Sequence, residues 1–166
     1  MTSLKDILVH VDTTPHGAAR LSLAAGLAAA PGAQLGGLGL ADTPSSDPFR
    51  ANMIVPLPGG SEQLVQAMRE QSVSALAPFE AAFREHLQQV ERSGAWRLTE
   101  GHPAALMTAQ ARYADLAVMC QPSRYVAHDS FIDAMTASVL MRAGRPILMA
   151  PCAGDVSTIG QRVLVA

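Results

Sequence analysis

Cys120, Ser123 and Arg124 lie within one short segment, Cys120-Gln-Pro-Ser-Arg124, directly after the apolar run Leu116 to Met119. A thiol, a hydroxyl and a guanidinium so close together can hold a polar ligand if the chain presents them at the mouth of a cleft. The apolar run has a helical pattern before it and another after it, which fits a buried strand of a parallel sheet covered on both faces. Ligands of open α/β sheets bind beyond the carboxyl ends of the strands, so the loop from Cys120 to Arg124 is the expected binding position. A second candidate chemistry is thiol redox. Cys120 and Cys152 both fall at carboxyl ends of strands that would be neighbours, although reactivity needs an exposed thiol of lowered pKa and inert strand-end residues are the blander account. Asp12, followed by Thr13, Thr14 and Pro15, closes the first strand pattern, where an acid serves either a ligand or the start of the next helix. No Ser/His/Asp order on recognisable turns suggests a hydrolase, and no Cys/His set has metal-ligand spacing.

The elements that must position these residues follow from periodicity. Leu4 to Asp12 is a β-branched apolar run, and Ala18, Leu21, Ala25 and Ala28 then recur at helical spacing, so a strand and a helix over about 15–30 are predicted. Thr13 or Thr14 can cap that helix, with Pro15 in its first turn. Gln34 to Asp42 is a second strand whose three glycines imply close approach of another group to the backbone. Residues 43–60, rich in proline, read as a long loop with an apolar island at Met53 to Leu57. Leu64, Met68, Leu76, Phe79, Phe83, Leu87 and Val90 give the clearest helical stripe, which Pro78 should kink or divide. Ala95 to Thr99 alternates as a third strand. A helix from Gly101-His-Pro103 to about Tyr113 follows it, then the strand Leu116 to Met119, a helix from Ser130 to Ala143 and a strand from Arg145 to Ala150. Helices alternating with strands demand parallel pairing through right-handed crossovers, hence a doubly wound α/β domain with a five-stranded parallel sheet and helices on both faces. Arg162 to Ala166 is one further apolar β run.

Composition excludes several classes. The chain has 166 residues, enough for one domain with a substantial core, and a formal net charge of −2 gives no reason to expect nucleic acid or an anionic membrane as partner. No segment has the length of a membrane span or the pattern of a secretory signal, so a cytoplasmic protein is expected. Of the methionines, Met119, Met135, Met141 and Met149 could form an adaptable partner surface, with core filling the simpler role. His10 reads as a packed polar residue within a strand. Asp129 and Asp133 stand near the loop as possible cation or helix-dipole partners.

Four segments carry a family resemblance. Lys5-Asp-Ile-Leu-Val-His-Val-Asp12, Trp96 to Ala104, Ala114 to Met119 and Ala137 to Pro151 resemble, in order, the opening strand, third strand with its helix start, fourth strand, and last helix and strand of the universal stress protein (Usp) family. The likeness spans Leu4 to Pro151 and implies the adenine nucleotide alpha hydrolase-like fold, a Usp domain over 1–153 and a role in stress response. Residues 154–166 are then a linker and terminal strand. Ile159 to Ala166 is similar to the start of a second repeat, so the resemblance implies the amino-terminal half of a tandem protein. Members that bind nucleotide carry glycine, two residues, glycine, nine residues, then glycine with serine or threonine, because glycines let backbone N–H groups close round phosphates. Here Cys120 and Ser123 stand at the first two glycine positions. With Ala137-Ser138 matched to the closing pair, the third glycine is alanine and the spacing is longer. The resemblance implies nucleotide contacts at Asp12, Thr13, Ala41, Cys120, Ser123, Arg124 and Ser138, in a degenerate loop. The expected function is association without catalysis or cofactor, as a homodimer or with a second Usp domain. The alternatives are an ATP- or AMP-binding Usp protein with a remodelled phosphate loop, capable of slow hydrolysis, and a thiol redox module.

Overall fold

The computed structural model describes residues 4–12, 17–41, 61–121, 130–151 and Ile159. Apolar runs bounded by polar turns become five strands: β1 (Asp6–Val11), β2 (Gln34–Ala41), β3 (Gly94–Glu100), β4 (Leu116–Cys120) and β5 (Ile147–Ala150). The segments of helical periodicity become α1 (Gly17–Leu27), α2 (Ser61–Ser74), α3 (Ala77–Gln89), α4 (Pro103–Ala111) and α5 (Ser130–Arg142). Pro78 divides the long stripe: α2 ends before it, and α3 restarts with the proline in its first turn, where the missing N–H leaves no bond unmade. The apolar island at 53–57 and the terminal run at 162–166 lie outside the described residues.

All pairings are parallel and the strand order is β3-β2-β1-β4-β5, with Val9 beside both Gly37 and Val118, and Cys120 beside Ala150. Successive residues of β1 face opposite sides. Ile7, Val9 and Val11 join Leu21, Ala24, Phe83 and Leu87 beneath α1 and α3, whereas Leu8 joins Met107, Met119, Met135 and Val139 beneath α4 and α5. Met119 and Met135 are therefore core residues and Met149 is half-buried, while Met141 is exposed on the outer side of α5. Two glycines of β2 admit an aromatic ring. A Cβ on Gly37 or Gly39 would come within 2.8 and 2.7 Å of the Trp96 indole, which also meets the Phe83 ring at 5.7 Å between centroids. That contact is the close approach which the glycine-rich strand implied.

The amino ends of the strands are fastened by polar groups. Asp115 accepts the N–H groups of Lys5 and Asp6, which lowers its carboxyl pKa and ties β1 to the start of β4. Arg112 donates to the Arg142 carbonyl at the end of α5, and Arg145 donates to the Arg112 carbonyl at the end of α4. Each guanidinium thus serves the negative end of a neighbouring helix. On the far edge, Arg69 forms a two-point pair with Glu100 at the end of β3. None of the described helices is long and apolar enough to cross a membrane.

Candidate functional site at the carboxyl ends of β1 and β4

The chain leaves β1 in one direction through β2 and β3, and returns on the other side through β4 and β5. The switch point therefore lies between β1 and β4, and the crevice of an open sheet forms there. Asp12 directly follows β1, Cys120 ends β4 and Ala41 ends β2, so the topology brings these three candidates to one end of the sheet. Thr13, Ser123 and Arg124 lie outside the described residues.

Asp12 is not a lone acid. Its Oδ2 lies 2.8 Å from Nη2 of Arg20 in an ion pair whose side chains are 15% and 2% exposed. Arg20 Nε also donates to the His10 carbonyl at 2.8 Å, so one guanidinium ties α1 to the last turn of chain before the crevice. His10 is fully buried, with Nδ1 at 3.8 Å from Asp12 Oδ2. Burial lowers its pKa to about 4, and Arg20 adds to that shift while Asp12 opposes it. The imidazole is accordingly neutral at physiological pH, and the charge at this end of β1 is the balanced Asp12–Arg20 pair.

The remaining candidates are turned elsewhere. The Cys120 thiol is buried and donates to the Gln121 carbonyl at 3.3 Å. Ala41 is buried, and its carbonyl accepts the Gly101 N–H. Ser138 is half-buried in the α4–α5 seam, with Oγ 3.2 Å from Thr108 Oγ1, which in turn donates to the Ala104 carbonyl. It follows the first residue of α5 by about 12 Å of helix rise, so it does not share a turn with the start of that helix. Counting the nine residues 124–132 beyond Ser123 reaches Asp133 instead. Asp133 is exposed in the first turn of α5, and places a carboxylate at the positive end of the helix, where a phosphate would otherwise be favoured.

Arg20 is the site residue that periodicity passed over, and Asp133, which the sequence marked as a cation or helix-dipole partner, also stands at the third-glycine position. Arg20 had a signal, being the one charged residue in Gly17–Leu27. An isolated charge on a helix otherwise made of alanine, leucine, glycine and serine must find a partner when that helix packs on a sheet. For Asp133 the signal was the nine-residue spacing itself. Among the described residues no group of histidine, cysteine and acidic side chains could hold a metal ion.

The class defined by this fold is the doubly wound α/β domain with its topological switch between β1 and β4. No protein-family model matches the sequence, and no curated protein is significantly similar to it. Solved structures do match. A universal stress protein family member from Burkholderia pseudomallei is similar at 25% identity over 91% of this chain and 99% of that one, with a TM-score of 0.59. UspA from Lactobacillus plantarum is similar at 19% identity over 90% and 99%, with a TM-score of 0.67. A universal stress protein in complex with cAMP is similar at 17% identity over 92% and 100%, with a TM-score of 0.58. The fold is that of the universal stress protein family.

Proposed function

We propose that this chain is a stress-response domain of the universal stress protein type that works by association rather than catalysis, and that its switch-point crevice has lost tight grip on nucleotide phosphates. The observation that carries the reading is the exposed Asp133 in the first turn of α5, an acidic residue at the helix's positive end, where an anion would otherwise be favoured. Three further features support it. Arg20 already neutralises Asp12, the Cys120 thiol is buried, and Ser138 bonds across to Thr108. Among the described residues, Asp12 and Arg20 are thus engaged with each other in holding the fold.

Association has its own support. β5 is an edge strand whose outer backbone groups are unpaired among the described residues, and Ile147, Leu148 and Met149 along it are only half-buried. Leu140 and Met141 stand 55% and 83% exposed on α5, large apolar side chains of the kind a partner surface covers. The partner is a second copy of this chain or a second Usp domain pairing along β5. Light scattering on a size-exclusion column tests this: the intact chain should elute as a dimer, and Met149→Pro, which removes an outward-facing edge donor because Pro146, Leu148 and Ala150 bond to β4, together with Met141→Glu should shift it to monomer. A monomeric intact chain over the micromolar range would contradict pairing by identical copies. Deletion of residues 160–166 separates the two edge partners, because a strand supplied by that segment would release or expose β5 when removed.

A second reading is favoured by the cAMP-bound neighbour: a site for an adenine nucleotide of reduced phosphate charge, with Asp12 at the ribose and the loop of Cys120, Ser123 and Arg124 at the phosphate. A cyclic monophosphate carries less charge toward Asp133 than ATP does, so the geometry ranks cAMP and AMP above ATP.

A further inference from the structure

α1 and α3 lie side by side on one face of the sheet, and a trough of about 500 Å³ opens between them. That volume falls in the range of small-molecule sites, about 300–1,000 Å³. Its walls are low because the side chains that face each other there are small, Ala18 and Ser22 on α1 against Ala82 on α3. Its floor is apolar: Val11 and Leu21 are buried core residues, and the Phe79 ring is half-buried beside them. The lining changes character along α3. Pro78 and Phe79 come first, then Glu85, His86 and Gln89 at the other end, so one end is apolar and the other polar.

Charge fixes the sign of the polar end. Among the described residues of the lining, Glu85 is the one carboxylate and there is no lysine or arginine. Gln89 donates to Glu85 Oε1 at 3.3 Å, which orients the carboxylate and leaves Oε2 for another donor, while the nearby Arg84 is taken by Glu80. From Phe79 to Glu85 the helix rises about 9 Å, the length of a phenyl ring carrying a four-carbon chain and an amine.

We propose that this trough binds an elongated amphiphilic cation of the arylalkylamine class, its ring on Phe79 and its ammonium at Glu85. The trough's Val11 and Gly17 end abuts Asp12 and Arg20, but those two residues and Asp133 are not part of its lining, and the proposal does not depend on the reading of the switch-point crevice.

Isothermal titration calorimetry on the full chain tests the assignment with 4-phenylbutylamine as probe and 4-phenylbutyrate as its charge-reversed counterpart of equal length. The amine should saturate at one per chain, with the carboxylate at least about fivefold weaker. Glu85→Gln should abolish that preference while leaving the carboxylate's affinity equal or better. Ala82→Trp and Ser22→Trp, at two exposed positions on opposite walls, should each remove binding of both probes, with far-UV circular dichroism confirming that the variants are folded. The proposal is overturned if the amine fails to saturate by low millimolar concentration, if both folded tryptophan variants bind it like the wild type, or if Glu85→Gln leaves the amine-to-carboxylate ratio unchanged.

Discussion

Replacing Arg20 by alanine is expected to destabilise the domain by about 3–5 kcal/mol, the cost typical of removing one partner of a buried ion pair. The substitution leaves the Asp12 carboxylate without its 2.8 Å counter-ion and the His10 carbonyl without its side-chain donor, both at the end of the central strand. Urea denaturation followed by circular dichroism measures the loss. Arg20→Lys keeps the charge but, with a single nitrogen in place of a fork, reaches both partners less well, so an intermediate loss is expected. In the double variant Arg20→Met with Asp12→Asn, the total should fall short of the sum of the single losses by about 1 kcal/mol or more, since neither charge is then left facing the loss of the other. A loss below about 1 kcal/mol for Arg20→Ala would mean that the pair does not fasten α1 to β1.

The second large effect is a pH dependence set by His10. Its pKa is about 4 in the fold against about 6.5 when unfolded, because burial disfavours the imidazolium. Between those values the unfolded chain takes up a proton that the folded chain refuses. Stability is therefore complete above pH 6.5, declines as pH falls toward 4 and levels off below, for a total of up to about 3 kcal/mol. Asp115 and Glu100 titrate below the ordinary carboxylate range, so their contribution is lost at lower pH than this window. His10→Leu should flatten the stability profile between pH 6.5 and 5. An unchanged slope in that variant would assign the dependence to other groups.

Much of the architecture was legible because its signals are local. Apolar runs ended by polar turns marked the five strands, and Pro78 marked the division of the long stripe into α2 and α3. Gly37 and Gly39 announced a close contact, but not which ring would make it, since Trp96 reaches them from a strand more than fifty residues away in sequence. Strand order was equally out of reach of periodicity. Nothing in the run Leu116 to Met119 says that β1, not β4, lies at the centre, because pairing is decided by non-local packing. At the candidate site the sequence placed Asp12 and Cys120 at one end of the sheet. It did not disclose that Arg20 would pair with Asp12, as a helical stripe of small apolar residues conveys no information about where its single charge points. Ser138 shows how residue type alone leaves surroundings unread. It has the residue type of a phosphate ligand, yet it sits in a seam between two helices, where its hydroxyl meets Thr108.

These observations describe a universal stress protein fold in which, among the described residues, Asp12 at the end of β1 is paired with Arg20. Arg20 answers Asp12, and Asp133 occupies the positive end of α5. Among the described residues β5 has no neighbour on its outer side, and Leu140 and Met141 are exposed on α5, features suited to a partner.

The most direct test is to denature freshly purified protein, separate the released small molecules by chromatography and quantify adenine nucleotides against protein. The expected result is ATP, ADP, AMP and cAMP each far below one per chain, with Asp133→Gly raising ATP affinity in a subsequent titration. One ATP released per chain from the unaltered protein would contradict the assignment of the crevice as a site that has lost its hold on phosphate.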